Sequence, residues 1–129
     1  MVHWIRFVPV ALVAISSFAA CEKRDPPQKH ALTENNSAIA RIVEARCERE
    51  ARCTNIGAEK KFSTRNDCST QLTEKSRSQL SKSKCPVGVD AKELGDCLRE
   101  IKEEKCGNPL DTLERIAACN PMDLCVAKR

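Results

Sequence analysis

Residues 90–109 read DAKELGDCLREIKEEKCGNP, and this stretch carries the clearest local signals for the fold. Asp90, followed three positions later by Glu93, is the pattern of a helix N-terminus, where side-chain oxygens cap free backbone N–H groups. Gly107 ends the helix, because glycine readily adopts the left-handed conformation found after a helix C-terminus. Residues between these ends recur at helical spacing and form one predicted inner face. They are Leu94, Cys97, Leu98, Ile101 and, one turn further, Lys105.

A second helix is predicted directly after this stretch. Asn108 provides the cap, and Pro109 occupies the first helical turn, where its missing N–H is tolerated. Asn120 followed by Pro121 ends the helix. The residues expected to face the core are Leu110, Leu113, Ile116 and Ala117.

Two further helices are predicted upstream. One begins at Asn36 or Ser37 and runs to about Cys53, and the other begins near Thr64. The latter has an inner stripe formed by Cys68, Leu72, Ser76 and Leu80. The predicted fold is therefore an all-α, disulfide-rich bundle of about four short helices.

Cysteines replace aromatic residues as the expected source of stability. The chain has nine cysteines and no tyrosine, and Phe62 is its single aromatic residue after position 18. Setting Cys21 aside leaves an even set, which predicts four disulfides in an oxidising compartment. This set is Cys47, Cys53, Cys68, Cys85, Cys97, Cys106, Cys119 and Cys125. The pairing stays open, although Cys47 and Cys53 point apart if both are helical.

The positions of the cysteines relative to the predicted helices indicate two kinds of disulfide. Cys68 and Cys97 lie within apolar stripes and are expected to bridge to other helices. Cysteines at the ends of elements are expected to clamp loops, and these are Cys53, Cys85, Cys106 and Cys125.

Residues 1–20 have the features of a signal peptide, with Arg6 before an apolar run and small residues at its end. Residues 17–21, Ser-Phe-Ala-Ala-Cys, resemble the lipobox of bacterial lipoproteins. This resemblance implies that Cys21 is diacylated and becomes the first residue, anchoring the protein to a lipid bilayer. By resemblance to a known sorting rule, Glu22 favours the outer membrane over the inner. The alternative is ordinary cleavage after Ala19, which would give a soluble secreted factor with an unpaired Cys21.

The chain after the leader divides into two parts. Residues 21–36 are polar, contain Pro26 and Pro27, and lack apolar periodicity, so we expect a flexible tether. Residues 37–129 form the predicted cysteine-rich helical domain.

Most catalytic chemistry is disfavoured by composition. His3 and His30 both lie outside the predicted domain, and no C-x-x-C motif is present, so we predict neither a metal, a cofactor nor an enzyme. The carboxylates of Asp96, Glu100, Glu103 and Glu104 alternate with basic residues and indicate a solvated, salt-bridged helix face.

Charge is distributed unevenly along the domain. Lys60, Lys61 and Arg65 belong to a basic stretch that could bind an envelope protein or an anionic polymer. Alternatively, this stretch and the acidic residues of 90–115 lie on neighbouring helices of complementary charge. Nucleic-acid binding is disfavoured, because aromatic residues for base stacking are almost absent.

The cysteine framework resembles a family of small eight-cysteine bacterial lipoproteins of unknown function. The residues that carry this likeness are Cys47-Glu48-Arg49-Glu50-Ala51-Arg52-Cys53, Ile56-Gly57, Lys60-Lys61-Phe62, Cys68, Cys85-Pro86, Leu94, Cys97-Leu98, Ile101, Cys106-Gly107-Asn108-Pro109-Leu110 and Cys119. The resemblance implies export and a helical fold but brings no activity. We therefore expect a membrane-anchored envelope protein with a non-enzymatic binding or structural role. The alternative is a carrier of a small apolar ligand or lipid, held in a cavity between helices.

The intact mass of the membrane-extracted chain tests the leader and the cysteines together. We expect a diacylated Cys21 at the N-terminus and eight cysteines that react with an alkylating agent only after reduction. An unlipidated chain would favour the secreted factor, and alkylation without reduction would contradict four disulfides.

Overall fold

The computed structural model describes residues 27–127. Its helices are α1 (Pro27–Arg52), α2 (Arg65–Gln79), α3 (Ala91–Glu103), α4 (Pro109–Ala118) and the short α5 (Pro121–Leu124). Within the described residues there is no β-strand, only isolated bridges that join Ile56 to Phe62 and Val89 to Cys125. The prediction of an all-α, disulfide-rich bundle is confirmed. The predicted signal peptide and Cys21 lie outside the described residues.

α1 is the central element of the bundle. It packs against both α2 and α3, while α4 packs on α3 and α5 contacts the same helix. Ile101 of α3 is fully buried, and the predicted stripe of α2 is buried as well. The core side chains include Ile39, Ile42, Val43, Cys47, Phe62, Cys68, Leu72, Leu80, Cys85, Leu94, Cys97, Ile101 and Leu124.

Three helices begin at the residues that the sequence predicts. The side chains of Thr64, Asp90 and Asn108 each accept a hydrogen bond from a backbone N–H in the first turn that follows. Such caps satisfy backbone donors that have no partner within the helix. The starts of α2, α3 and α4 are therefore set by contacts between residues close in sequence.

All eight predicted cysteines form disulfides. The pairs are Cys47–Cys68, Cys53–Cys106, Cys85–Cys125 and Cys97–Cys119. As predicted, Cys68 and Cys97 bridge to other helices, and the four cysteines at element ends pair with one another. Cys47 and Cys53 do not pair, in agreement with their diverging directions on α1.

The predicted tether over residues 21–36 is wrong for residues 27–36, because α1 already begins at Pro27. Ala31 is 0% exposed and Asn35 only 2%. The Asn35 side-chain amide donates to the backbone oxygens of Leu80, at 3.2 Å, and Cys85, at 3.1 Å. The first turns of α1 are thus held by the loop between α2 and α3. Residues 21–26 lie outside the described part of the chain.

Substituting Asn35→Ala should show that this early part of α1 belongs to the fold. Loss of two hydrogen bonds to buried carbonyls should lower the free energy of unfolding by about 1–2 kcal/mol. Urea denaturation with the disulfides intact measures this change. Asn36→Ala is the matched control, because Asn36 is exposed; equal stabilities of the two variants would contradict the assignment.

Candidate functional site

The apolar face of α4 is turned towards solvent. Leu110 is 67% exposed, Leu113 61% and Ile116 54%, and no residue of the helix is buried. Ala117 is exposed as well. The prediction that these four residues face the core is therefore wrong. We refer to Leu110, Leu113, Ile116 and Ala117 as the α4 face.

The inward side of α4 is polar because it binds a buried carboxylate. Glu104, just after α3, has a side chain that is 2% exposed and lies 2.6 Å from Arg115 Nε and 3.0 Å from a terminal nitrogen of Arg49. The Thr112 hydroxyl also donates to it, at 2.8 Å. A buried charge is tolerated only when it is paired and hydrogen-bonded. α4 satisfies this requirement by turning Thr112 and Arg115 inward.

Both ends of α4 are fixed in this orientation. At its start, the Asp111 carboxylate accepts hydrogen bonds from the backbone N–H of Lys105, at 3.0 Å, and from the Asn108 amide, at 2.5 Å. At its end, the Cys97–Cys119 disulfide ties the helix to α3. Rotation of α4 to bury its apolar face would break the Asp111 hydrogen bonds and remove Thr112 and Arg115 from Glu104, leaving that carboxylate with Arg49 alone.

The sequence contained one signal for this arrangement. Glu104 lies three residues after Ile101 and seven after Cys97, which places it on the inner stripe of α3. The expectation placed Lys105 there instead, and Lys105 is exposed. Periodicity alone did not predict burial of Glu104, because a carboxylate is seldom fully buried unless it is paired, and the sequence does not identify its partners.

Acidic residues border the α4 face on one side. A shallow depression of about 220 Å³ lies between the end of α3 and the start of α4. Its lining consists of Glu100, Glu103, Glu104, Lys105, Asp111 and Glu114. The exposed apolar stripe therefore has one acidic edge, while Ile116 and Ala117 at its other edge adjoin the cations Arg46, Lys75 and Arg115.

One residue of the predicted basic site, Lys61, is engaged within the fold. Lys61 Nζ lies 2.8 Å from a carboxylate oxygen of Glu50 and 5.2 Å from the centre of the Phe62 ring. Arg65 is 3.9 Å from Glu48 at an exposed position, and Lys60 is exposed. Binding of a partner at Lys60, Lys61 and Arg65 stays a prediction, but Lys61 already has a structural partner.

Glu50 is the second buried carboxylate of the domain. Burial disfavours its charged form, but hydrogen bonds from Lys61 and Asn55 outweigh that effect and hold the pKa of Glu50 below its usual value. The Glu50 side chain thus remains ionised and fastens the loop after α1 to the helix.

The alternative that basic and acidic stretches form neighbouring complementary helices is not supported. α2 and α3 each pack on α1, and substantial packing between them is absent from the described part of the chain. The acidic residues of α3 are instead paired locally. Asp96 lies 3.2 Å from Lys92 and 2.7 Å from Arg99, and Glu100 lies 3.4 Å from Arg99. The predicted solvated, salt-bridged face is confirmed for these residues, but Glu104 is buried.

Between residues 27 and 127, no group of three or more histidine, cysteine or acidic side chains is arranged to hold a metal ion. Over the same range, no helix has both the length and the apolar character needed to cross a bilayer.

Comparison with known protein families places most of the folded domain within one family model. The model of a family of unknown function (DUF6184) matches residues 47–128. This range contains α2 to α5 and all eight paired cysteines. No curated protein and no solved structure shows a significant match to the chain.

Replacing Glu104→Gln should release α4 from its orientation. Removing one member of a buried ion pair leaves the arginines uncompensated, so the free energy of unfolding should fall by about 3 kcal/mol. Urea denaturation measures the loss. Glu103→Gln removes an exposed neighbouring carboxylate and should leave stability essentially unchanged. Similar stability of both variants would show that Glu104 does not hold α4.

Proposed function

This chain belongs to a family of unknown function (DUF6184), and we propose that it is a non-enzymatic binding protein of the bacterial cell envelope. In this proposal, acyl chains on Cys21 hold it at a membrane, preferentially the outer one. Its folded domain binds another envelope protein through the α4 face. The single observation that carries the proposal is the outward orientation of that face.

Anchoring is supported by the lipobox-like sequence at residues 17–21 and by the cysteine count. Cys21 is the cysteine left over once the other eight have paired. Because α1 begins at Pro27, residues 22–26 would form the entire link between the lipid and the fold. Five residues reach at most about 18 Å. The domain would thus be held close to the membrane surface, where its partner would also lie.

Partner binding is supported by the free-energy cost of leaving the apolar α4 face exposed to water. Exposed apolar residues are common one at a time, but a continuous stripe on one helix is typical of an interaction surface. Leu110, Leu113 and Ile116 are three large side chains on successive turns, all more than half exposed. Covering them would remove apolar area from water and stabilise a complex.

Charge favours a protein over a bilayer as the occupant of the α4 face. Glu103, Asp111 and Glu114 lie beside the stripe. Anionic lipid headgroups would be repelled by this acidic edge, whereas a protein with an apolar patch and nearby lysine or arginine side chains would complement it. We therefore infer a partner protein of that chemistry.

Two alternative functions require different features of the chain. If Cys21 is not lipidated, the domain is a soluble secreted factor with the same α4 face. A carrier of a small apolar ligand would instead depend on a cavity between helices rather than on this surface.

Photo-crosslinking in living cells tests the proposed surface. A photoreactive amino acid at Ile116 should give one discrete adduct with an envelope protein, whereas the same probe at Glu74, exposed on α2, should not. Adding Leu113→Glu should abolish the adduct, because a carboxylate at the centre of the face opposes burial. Leu113 is 61% exposed, so the melting temperature should barely change.

Three outcomes would contradict the proposal. Equal adducts from positions 116 and 74 would indicate unspecific contact. An adduct with the mass of two copies of this chain would show self-association instead of a different partner. Persistence of the adduct in the Leu113→Glu variant would place the contact elsewhere.

A further inference from the structure

A cavity of about 450 Å³ opens between α1, α2 and the segment from α4 to α5. Its volume lies within the range of small-molecule sites in proteins. Its floor is apolar, since Ile42, Leu80 and Leu124 are 6%, 3% and 1% exposed. The lining residues are Ile42, Arg46, Lys75, Ser76, Gln79, Leu80, Arg115, Ile116, Ala117, Cys119, Asn120, Pro121 and Leu124.

Three cations and no carboxylate line this cavity within the part of the chain that the structure describes. The cations are Arg46 from α1, Lys75 from α2 and Arg115 from α4. Arg115 is occupied by its contact with Glu104 at 2.6 Å. Lys75 is exposed at the edge of the cavity. The lining therefore combines an apolar floor with positive charge on one side.

Among the described residues that line the cavity, Arg46 is the half-buried cation without an ion pair. No hydrogen bond or ion pair joins its guanidinium to another residue between 27 and 127. The nearby carboxylates are taken by other groups: Glu104 by Arg49 and Arg115, and Glu50 by Lys61. The cluster of Arg46, Arg49, Lys61 and Arg115 thus holds four positive charges against the two carboxylates Glu50 and Glu104.

Electrostatics at Arg46 agree with this count. Burial lowers the pKa of Arg46, and Arg115 lowers it further, while Glu50 and Glu104 act in the opposite direction. The guanidinium nevertheless stays charged, because its ordinary pKa is far above neutral pH. An anion placed in the cavity would replace part of the lost hydration and offset the repulsion from Arg115.

We propose that this cavity binds an anionic amphiphile, a small molecule with one carboxylate or phosphate head and a short apolar tail. The head would lie against Arg46 and Lys75, and the tail would pack on the exposed apolar lining at Ile116 and Ala117. An inorganic anion would leave this apolar lining uncovered, and a neutral lipid would leave Arg46 unpaired. This site depends neither on lipidation of Cys21 nor on a partner at the α4 face.

Calorimetric titration with matched ligands tests the site. The protein is the chain from residue 21 onward with Cys21→Ser, exported behind an ordinary cleavable signal peptide so that its disulfides form and no detergent is needed. Octanoate, below its micelle concentration, should bind more tightly than octanol, which has the same tail, and more tightly than acetate, which has the same head. Octyl phosphate compares the two heads; tighter binding of either charged amphiphile supports the proposal and identifies the head.

Arg46→Met tests the role of the unpaired cation. It should weaken octanoate binding about tenfold, as expected for loss of a charge-assisted contact. Its melting temperature should not fall, because the substitution removes repulsion while keeping an unbranched side chain of similar length. Arg77→Met, at an exposed position of α2 outside the cavity lining, is the control and should bind as the parent does. Lys75→Met is a second test at an exposed side chain and should weaken binding several-fold.

The proposal is overturned by any of three results. Equal affinities of octanol and octanoate would exclude a cationic head site. Equal affinities of acetate and octanoate would exclude the apolar lining. Unchanged octanoate affinity in both the Arg46→Met and Lys75→Met variants would place the ligand elsewhere.

Discussion

Each disulfide joins segments that are far apart in the chain, with sequence separations of 21, 53, 40 and 22 residues. Crosslinks over such distances restrict the unfolded chain and stabilise the fold by about 3–4 kcal/mol each in the chain-entropy model. This matters because the core is small and aliphatic, with Phe62 as its single aromatic side chain. α1 and α3 each carry two of the bridged cysteines, counting the residues just beyond their ends, and the other elements are positioned relative to these two helices.

Within this framework, a second constraint sets the rotation of α4. A disulfide at Cys119 fixes where the helix ends, but it leaves open which side faces α3. The buried Glu104 carboxylate decides this by drawing Arg115 and Thr112 inward. Replacing a buried ion pair by apolar packing is often neutral or stabilising. The domain therefore keeps an arrangement that sacrifices apolar burial, as is typical of sites where function competes with stability.

The two proposed binding regions share an edge. Ile116 and Ala117 belong to the α4 face and also line the cavity beside Arg46. A protein bound on the α4 face would therefore lie next to the opening of the ligand site. Both regions depend on Arg115, whose contact with Glu104 orients α4 and whose charge adds to the repulsion at Arg46. One buried salt bridge thus links the shape of the surface to the electrostatics of the cavity.

The sequence by itself determined the all-α class, the starts of α2, α3 and α4, and the number of disulfides. These features depend on capping hydrogen bonds between residues two or three positions apart and on an even cysteine count. Only the tertiary structure decided the cysteine pairing, the early start of α1 and the outward face of α4. Asn35 binds groups 45 and 50 residues away, and Glu104 requires Arg49 from another helix. Periodicity identifies an apolar face, but the buried polar groups of distant segments determine whether that face is covered.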